Sequence, residues 1–155
     1  MALEIERRFL LKNDNWKEFI TKKIFIEQGY FSKNLDDWII RIRFTGKDFK
    51  IAFKKHIESF TNFEFEYSIP RQDGETIMSN LSNTIKKERF FLEFEKKSWI
   101  IDCFKEKNYP LEIAEIELLS EDEDLSLPSF IFKEITGLTE YSNFSLANKP
   151  FSEWK

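Results

Sequence analysis

The sequence predicts an α+β protein: an eight-stranded antiparallel β-barrel with a charged lumen and with helices packed outside. Three observations predict this fold class. The 155 residues contain about eight segments that alternate like strands, and six of these carry two like charges at positions i and i+2. Side chains at i and i+2 share a face, so the charges gather on one face of the sheet. The opposite face is apolar and needs cover, and the length suits a single domain, residues 1–155.

Two architectures fit this charge pattern. An ordinary sandwich buries the apolar face and leaves the charges in water. A barrel with a charged lumen turns the charges inward and forms a binding tunnel. The pattern alone leaves both open. Adjacent like charges repel and gain little stability on a purely structural face, which favours the barrel.

Composition limits the classes of binding partner and the cellular compartment that we expect for this protein. The formal net charge of −4 argues against nucleic-acid binding, which usually needs a basic surface. No apolar run approaches the roughly 18–20 residues of a transmembrane helix, and the N-terminus lacks a signal-peptide pattern, so no membrane partner is expected. The single cysteine, Cys103, cannot form an internal disulfide, which is typical of a cytoplasmic protein. The sequence leaves open whether the protein forms a homodimer.

The N-terminal half is predicted to begin with the strand that carries Glu4, Glu6 and Arg8 on one face. Asn13 or Asp14 can cap a short helix after it. The predicted elements are a strand at residues 3–9, a helix to about residue 23, strands at 24–31 and 38–44, a turn at 45–48 and a returning strand at 49–55.

The C-terminal half repeats the same strand pattern around one helix. The predicted elements are a strand at residues 62–69, a break at 70–74, a helix at 75–81, strands at 86–95, 98–104 and 111–119, and a final helical or irregular segment at 128–154. The break is placed at Pro70 and Gly74, since both residues interrupt regular structure. The helix is predicted to turn Ile77, Met78 and Leu81 inward.

The charged face combines carboxylates with cations. They are Glu4, Glu6, Glu64, Glu66, Glu115 and Glu117, together with Arg8, Arg41, Arg43, Lys50, Lys54, Lys87 and Arg89. The cations suit a polyanion of several phosphates, because charged hydrogen bonds hold phosphate oxygens well. The carboxylates would repel phosphate unless they hold hard divalent cations such as Mg²⁺ or Mn²⁺. Both sets together predict a metal ion and an oligophosphate, bound by side chains because no Walker loop is present.

In these residues the chain resembles the CYTH superfamily, the triphosphate tunnel metalloenzymes. Glu4-Ile5-Glu6-Arg7-Arg8 is similar to the ExExK signature of that family, which alone is a weak motif. The ordered series that follows is far more specific: Gln28-Gly29-Tyr30, Arg41-Ile42-Arg43, Lys54, Glu64-Phe65-Glu66, Lys87-Glu88-Arg89, Trp99-Ile100-Ile101-Asp102, Ala114-Glu115-Ile116-Glu117-Leu118, Glu134-Ile135-Thr136-Gly137, Tyr141, Asn143, Leu146 and Ala147.

The resemblance implies an eight-stranded antiparallel tunnel that binds a small-molecule triphosphate in its lumen and uses Mg²⁺ or Mn²⁺. It implies metal ligation by Glu4, Glu6, Glu115 and Glu117, assisted by Glu64 and Glu66. It implies phosphate binding by Arg8, Arg41, Arg43, Lys54, Lys87 and Arg89, with Lys50 as a further candidate. The catalytic candidates are Glu4, Glu6 and Lys87, the last orienting the attacking water. Asp102 and Glu134 are expected to be structural pairing partners.

The chain departs from the family pattern at three positions. Arg8 stands where the family usually has lysine, Asn62 where an arginine commonly precedes the Glu-x-Glu strand, and Glu140 where an arginine commonly precedes the tyrosine of the tail. The expected activity is metal-dependent hydrolysis of a triphosphate, with inorganic tripolyphosphate as the substrate. The alternatives are a class IV adenylate cyclase, a thiamine triphosphatase, or a non-catalytic module that binds polyphosphate or a nucleotide.

Overall fold

Nine strands and two α-helices account for most of residues 3–31 and 37–154, which this computed structural model describes. Residues 1–2, 32–36 and 155 lie outside the described residues. The elements are β1 (Leu3–Leu11), β2 (Ile20–Tyr30), β3 (Ile39–Phe44), β4 (Phe49–Glu58), β5 (Thr61–Ile69), α1 (Arg71–Ser79), β6 (Asn83–Phe94), β7 (Lys97–Phe104), β8 (Glu112–Glu117), β9 (Ile131–Glu134) and α2 (Asn143–Asn148). Short 3-10 helices cover Asn15–Phe19, Glu106–Asn108, Thr139–Tyr141 and Phe151–Glu153.

Eight of the strands form a closed antiparallel barrel. Neighbours follow the order β5-β4-β3-β2-β6-β7-β8-β1, and a further pairing of β1 with β5 closes the circle. The start of β1 pairs with β5, where Leu3 lies opposite Phe63, while β9 pairs with the end of β1. The predicted eight-stranded antiparallel barrel is therefore confirmed, with one additional strand. Among the described residues, no helix is long and apolar enough to span a membrane.

The strand register brings the charged residues onto one face of the barrel. Directly opposite residues of antiparallel strands share a face, and Glu6 lies opposite Glu117 while Arg8 lies opposite Glu115. Followed around the barrel, this rule assigns to the same face Glu4, Arg41, Arg43, Lys50, Lys54, Glu64, Glu66, Lys87 and Arg89. This is the inner face, because the cavities described below open among these side chains.

Much of the outer face is apolar and buried under the peripheral segments. Trp16, from the 3-10 helix Asn15–Phe19, packs in one large cluster with Phe9 and Trp99. α1 covers a second patch, where Met78 packs against Ile42 and Phe49. α1 thus lies outside the barrel, as the sequence predicts.

Gly74 lies within α1, at the point where the helix comes closest to Phe49. A Cβ at this position would lie 2.2 Å from Cγ of Phe49, so only glycine permits this packing. The sequence prediction treated Gly74 as part of a break and began the helix at residue 75. That boundary is wrong, because the helix begins at Arg71 and uses the glycine for close contact.

α2 packs against the inner face instead of the outside. Leu146 is fully buried in a cluster with Phe104 and Ile113. By register, Phe104 lies opposite Lys87, and Ile113 lies opposite Asp102. α2 therefore lies against the inner face of the barrel and brings the tail of the chain close to the charged side chains.

Two further boundaries differ from the sequence prediction. The predicted helix reaching residue 23 ends at Phe19, because the next residues pair with β6, where Ile20 lies opposite Leu92. The segment at 128–154, predicted as helical or irregular, also contains the strand β9. Both differences arise from pairing between distant segments, which local sequence patterns do not encode.

Candidate active site

The inner face encloses two adjoining cavities. The larger, of about 710 Å³, is lined among others by Glu4, Glu6, Arg41, Arg43, Lys54, Glu64, Glu66, Arg89, Glu115, Glu117 and Asn143. The smaller, of about 380 Å³, includes Arg8. Because Glu6, Arg41, Lys54 and Asn143 line both cavities, the two are continuous across the barrel. Lys50 and Lys87, both predicted phosphate ligands, line neither of them.

Three glutamates of the lumen, Glu4, Glu6 and Glu117, form an acid cluster. Lys54 Nζ lies 2.6 Å from Glu4 Oε1 and 3.5 Å from Glu6 Oε1. Burial raises the pKa of Glu6 to about 7, and the Glu115 carboxylate adds to the rise. Burial also raises the pKa of Glu4 and of Glu117, and neighbouring carboxylates add to both shifts. A cation placed here would therefore relieve repulsion that Lys54 only partly offsets.

The oxygen donors of the acid cluster fit Mg²⁺ or Mn²⁺ in their chemistry. Mg²⁺ is commonly bound by one or two carboxylates, with water and substrate phosphate oxygens completing its shell. Among residues 3–31 and 37–154, no group of three Asp, Glu, His or Cys side chains is arranged to hold a metal ion by itself. Glu4, Glu6 and Glu117 would thus hold an ion jointly with water and phosphate, not in a protein-only cage.

Two arginines of the lumen carry buried nitrogen atoms that find no hydrogen-bond partner in residues 3–31 and 37–154. Arg8 Nε donates to Glu115 at 3.1 Å and Nη1 to the Tyr141 carbonyl at 2.9 Å, whereas Nη2 has no partner. Arg41 Nη2 donates to Glu66 at 2.7 Å, whereas Nε has no partner. A buried polar group left unpaired costs about 1–3 kcal/mol. These donors are therefore positions where a bound anion would be stabilised.

Arg43 adds a cation whose hydrogen-bond partner in the lumen is a neutral side chain. Its Nε donates to Gln28 Oε1 at 2.8 Å, and Gln28 Nε2 donates to the Tyr30 hydroxyl at 2.8 Å. Within the described residues, Arg43 forms no salt bridge. Burial, together with the Arg41 and Arg89 charges, lowers the pKa of Arg43 to about 9. This part of the lumen has an excess of positive charge that favours an anionic ligand.

Lys87, Asp102 and Arg89 form a buried ion triad in the wall of the barrel. Asp102 Oδ2 accepts from Lys87 Nζ at 2.8 Å, and both its oxygens accept from Arg89, at 2.8 and 2.9 Å. Burial lowers the pKa of Lys87 to about 7. Burial alone would raise the pKa of Asp102, but Arg89 and Lys87 hold it well below its usual range. The predicted pairing role of Asp102 is confirmed, and Glu134 likewise pairs with Arg7 at 2.7 Å.

The three departures from the family pattern occupy different positions. Arg8 bridges Glu115 and the tail through Nε and Nη1 of its wider guanidinium fork, which a lysine could not span in the same way. Asn62 Nδ2 donates to Glu4 Oε1 at 3.4 Å, beside the acid cluster. Glu140 is exposed and lines neither cavity. Two of the three departures therefore lie in the lumen, where they can alter ligand preference.

Asn143 is a lumen residue that the sequence prediction did not include among its site residues. It lines both cavities, and its Oδ1 accepts a hydrogen bond from Lys87 Nζ at 3.0 Å. Its only signal in the sequence was its place in the tail series, because a single asparagine near the C-terminus has no charge pattern to reveal it.

In this closed antiparallel tunnel, arginine donors without a partner among the described residues lie in the same lumen as an acid cluster, a geometry that suits an anionic ligand. A protein from Acetivibrio thermocellus named inorganic triphosphatase is 31% identical over 157 residues, covering 100% of this chain and 99% of the relative. The chain belongs to the CYTH superfamily of triphosphate tunnel metalloenzymes, as its motifs predict. No family model matches the sequence.

Solved structures share the same tunnel. The crystal structure of the inorganic triphosphatase NE1496 superimposes with a TM-score of 0.68 at 26% identity, covering 93% of this chain and 97% of that one. The adenylyl cyclase-like protein HpAC1 from Hippeastrum, described as having a dominant triphosphatase activity, matches with a TM-score of 0.58, covering 77% of this chain and 80% of that one. At 16% identity, this second likeness shows the fold alone.

Proposed function

We propose that this protein hydrolyses the phosphoanhydride bonds of a triphosphate, with inorganic tripolyphosphate as the substrate. The observation that carries the proposal is the pair of buried arginine nitrogens, Arg8 Nη2 and Arg41 Nε, that have no partner among the described residues and belong to side chains that line the lumen. Arg43, in the same lumen, forms no salt bridge with any described residue. A phosphate chain supplies several anionic oxygens along a line. It could therefore pair with all three guanidinium groups at once.

The cations of the lumen have two roles in this mechanism. Arg41, Arg43 and Arg8 would bind non-bridging phosphate oxygens and orient the chain. They would also stabilise the negative charge that develops on the leaving phosphate or pyrophosphate. Because Arg41 and Arg8 are already held by Glu66 and Glu115, little ordering remains to be done when the substrate binds.

The acid cluster of Glu4, Glu6 and Glu117 would hold Mg²⁺ or Mn²⁺ against the phosphate chain, with Glu115 beside it and Glu64 and Glu66 assisting. When bound, the ion neutralises phosphate charge and lowers the pKa of a coordinated water. Lys54 now pairs with Glu4 and Glu6, so it would shift toward the phosphate oxygens once those carboxylates bind metal.

The test is a substrate panel assayed for phosphate release. Tripolyphosphate, thiamine triphosphate and ATP are each incubated with the protein and Mg²⁺ or Mn²⁺, with matched reactions in excess EDTA. We expect tripolyphosphate to react fastest, and EDTA to abolish turnover. Cyclic AMP as the main product from ATP would overturn the proposal in favour of a cyclase. Tight binding by calorimetry without phosphate release would favour a non-catalytic binding module.

The location, the partners and the role of Lys50 are further predictions that accompany this proposed function. We propose a cytoplasmic location, which the unpaired Cys103 supports because it has no disulfide partner. The homodimer and the lack of nucleic-acid and membrane partners also stay predictions. Lys50 is proposed as an outer phosphate ligand, reached after its ion pair with Glu66 at 3.7 Å is released.

A further inference from the structure

Asn143 lies where the two cavities of the lumen meet. It is the first residue of α2, and its side chain lines both cavities. α2 is held in this position because Leu146, three residues further along, is buried in the inner-face cluster with Ile85 and Phe104. Ser142 caps the helix by accepting from Ser145 N at 3.1 Å. The position of Asn143 in the lumen is therefore fixed by packing on one side and by a helix cap on the other.

Lys87 determines which end of the Asn143 amide faces the cavities. Lys87 Nζ carries at least two N–H donors whether or not it is protonated, and it donates one to Asp102 at 2.8 Å and one to the Asn143 amide oxygen at 3.0 Å. The Nδ2 group, with its two N–H donors, is then left to face the lumen. Lys87 itself has no exposed surface and is held from behind by Asp102 at 2.8 Å. It supports the amide but does not reach into either cavity.

We propose that Asn143 binds the phosphate chain directly through its Nδ2 group, and that Lys87 is a positioning residue that acts through Asn143. This inference rests on the proposed function, because the phosphate chain is the ligand. A neutral amide donor between the cations adds a hydrogen bond to a phosphate oxygen without adding charge. This hydrogen bond would favour a phosphate group at one fixed position along the tunnel.

Binding of a tripolyphosphate analogue with methylene bridges tests the role of Asn143 without turnover. Calorimetric titrations in Mg²⁺ compare the wild type with Asn143→Ala and with the matched control Asn148→Ala. Asn148 lies on the same helix but is exposed, and its Nδ2 donates to the Phe144 carbonyl at 2.8 Å. We expect Asn143→Ala to weaken binding about tenfold or more. The control should stay within about twofold of the wild type. Equal affinity of Asn143→Ala and the wild type would overturn the proposal.

The positioning role of Lys87 is tested by a double-mutant cycle with the same titration. If Lys87 acts through Asn143, then Lys87→Met combined with Asn143→Ala binds no more weakly than Asn143→Ala alone. Additive losses would overturn the positioning role and make Lys87 a direct ligand. The variant Asn143→Asp gives a second test that remains available if Lys87→Met fails to fold. Its carboxylate can still accept from Lys87 but presents oxygen to the phosphate, so binding weaker than in Asn143→Ala is expected, and equal or tighter binding would contradict the proposal.

The wild-type titration separates this inference from the proposed function. Wild-type protein that binds the analogue but does not hydrolyse tripolyphosphate would overturn the hydrolase proposal, while the variants still decide the role of Asn143. Wild-type protein that does not bind the analogue would overturn both.

Discussion

Substitution of Asp102 by asparagine should destabilise the barrel more than any single surface ion pair could. Asp102 has no exposed surface, and its carboxylate accepts three hydrogen bonds from Lys87 and Arg89. The Asp102→Asn change keeps the shape but leaves two buried cations around a neutral amide.

The expected magnitude follows from the contacts that are lost. Each hydrogen bond to a charged group contributes roughly 1.5–3 kcal/mol, but the three share one carboxylate and are not additive. Removing one partner from a buried ion pair typically costs about 3–5 kcal/mol. The lower end applies here, because Lys87 has a pKa lowered to about 7 by burial and can lose its proton. For a domain of this size, about 3 kcal/mol corresponds to a fall in Tm of roughly 10 °C.

Urea unfolding at pH 7.5, followed by the fluorescence of the buried Trp16 and Trp99, measures this loss. The matched control is Glu88→Gln, which removes a carboxylate from the partly exposed pairs with Lys105 at 2.7 Å and Lys23 at 3.2 Å. Such surface pairs contribute about 0–1 kcal/mol. If Asp102→Asn loses no more stability than Glu88→Gln, then the ion triad is not the structural support described above.

Three further outcomes are expected. Arg43→Ala should weaken tripolyphosphate binding roughly tenfold to a hundredfold, since a charged hydrogen bond is lost. Arg71→Ala, on the exposed surface of α1, should leave binding unchanged, and equal effects in calorimetry would contradict a specific lumen site. In EDTA, the stability that Glu6 contributes should be full below pH 4.5 and lost as the pH rises through 7, because the folded pKa is raised to about 7 from 4.5. Urea unfolding at pH 5 and pH 8 should therefore show the wild type losing about 2.5 kcal/mol more than Glu6→Gln, and equal losses would count against the raised pKa. Thermal melts with Mg²⁺ should show the wild type stabilised more than Glu4→Gln, and an identical shift in both would argue against metal binding at the acid cluster.

The strands and their faces were predictable because successive side chains of a pleated strand point to opposite faces, so polar and apolar residues alternate along the sequence. The pairs Arg41 with Arg43 and Glu115 with Glu117 each lie on the inner face, as predicted. Residues that lie opposite each other in neighbouring strands share a face, so the assignment extends from strand to strand. β9 could not be predicted, because it is short and exists only through pairing with β1. The start of α1 was missed because Gly74 reads as a breaker, while its use in packing against Phe49 is visible only in three dimensions.

The composition of the candidate site was predictable, but its connections were not. The sequence grouped charges that the strand register places on the inner face, yet it could not distinguish Lys87, which pairs with Asp102 and lines neither cavity, from Arg43, which lines the larger cavity. That distinction depends on which carboxylate lies opposite each cation. Asp102 comes from a neighbouring strand, and Asn143 from the tail.

The central claim is that the lumen binds and cleaves a triphosphate, and phosphorus NMR of tripolyphosphate incubated with the pure protein and Mg²⁺ tests it most directly. The account predicts that the tripolyphosphate signals decay into those of pyrophosphate and phosphate, and that Arg41→Ala or excess EDTA slows this decay severely. Tripolyphosphate that remains intact with wild-type protein and Mg²⁺ or Mn²⁺, or that decays equally fast with Arg41→Ala, would contradict the account.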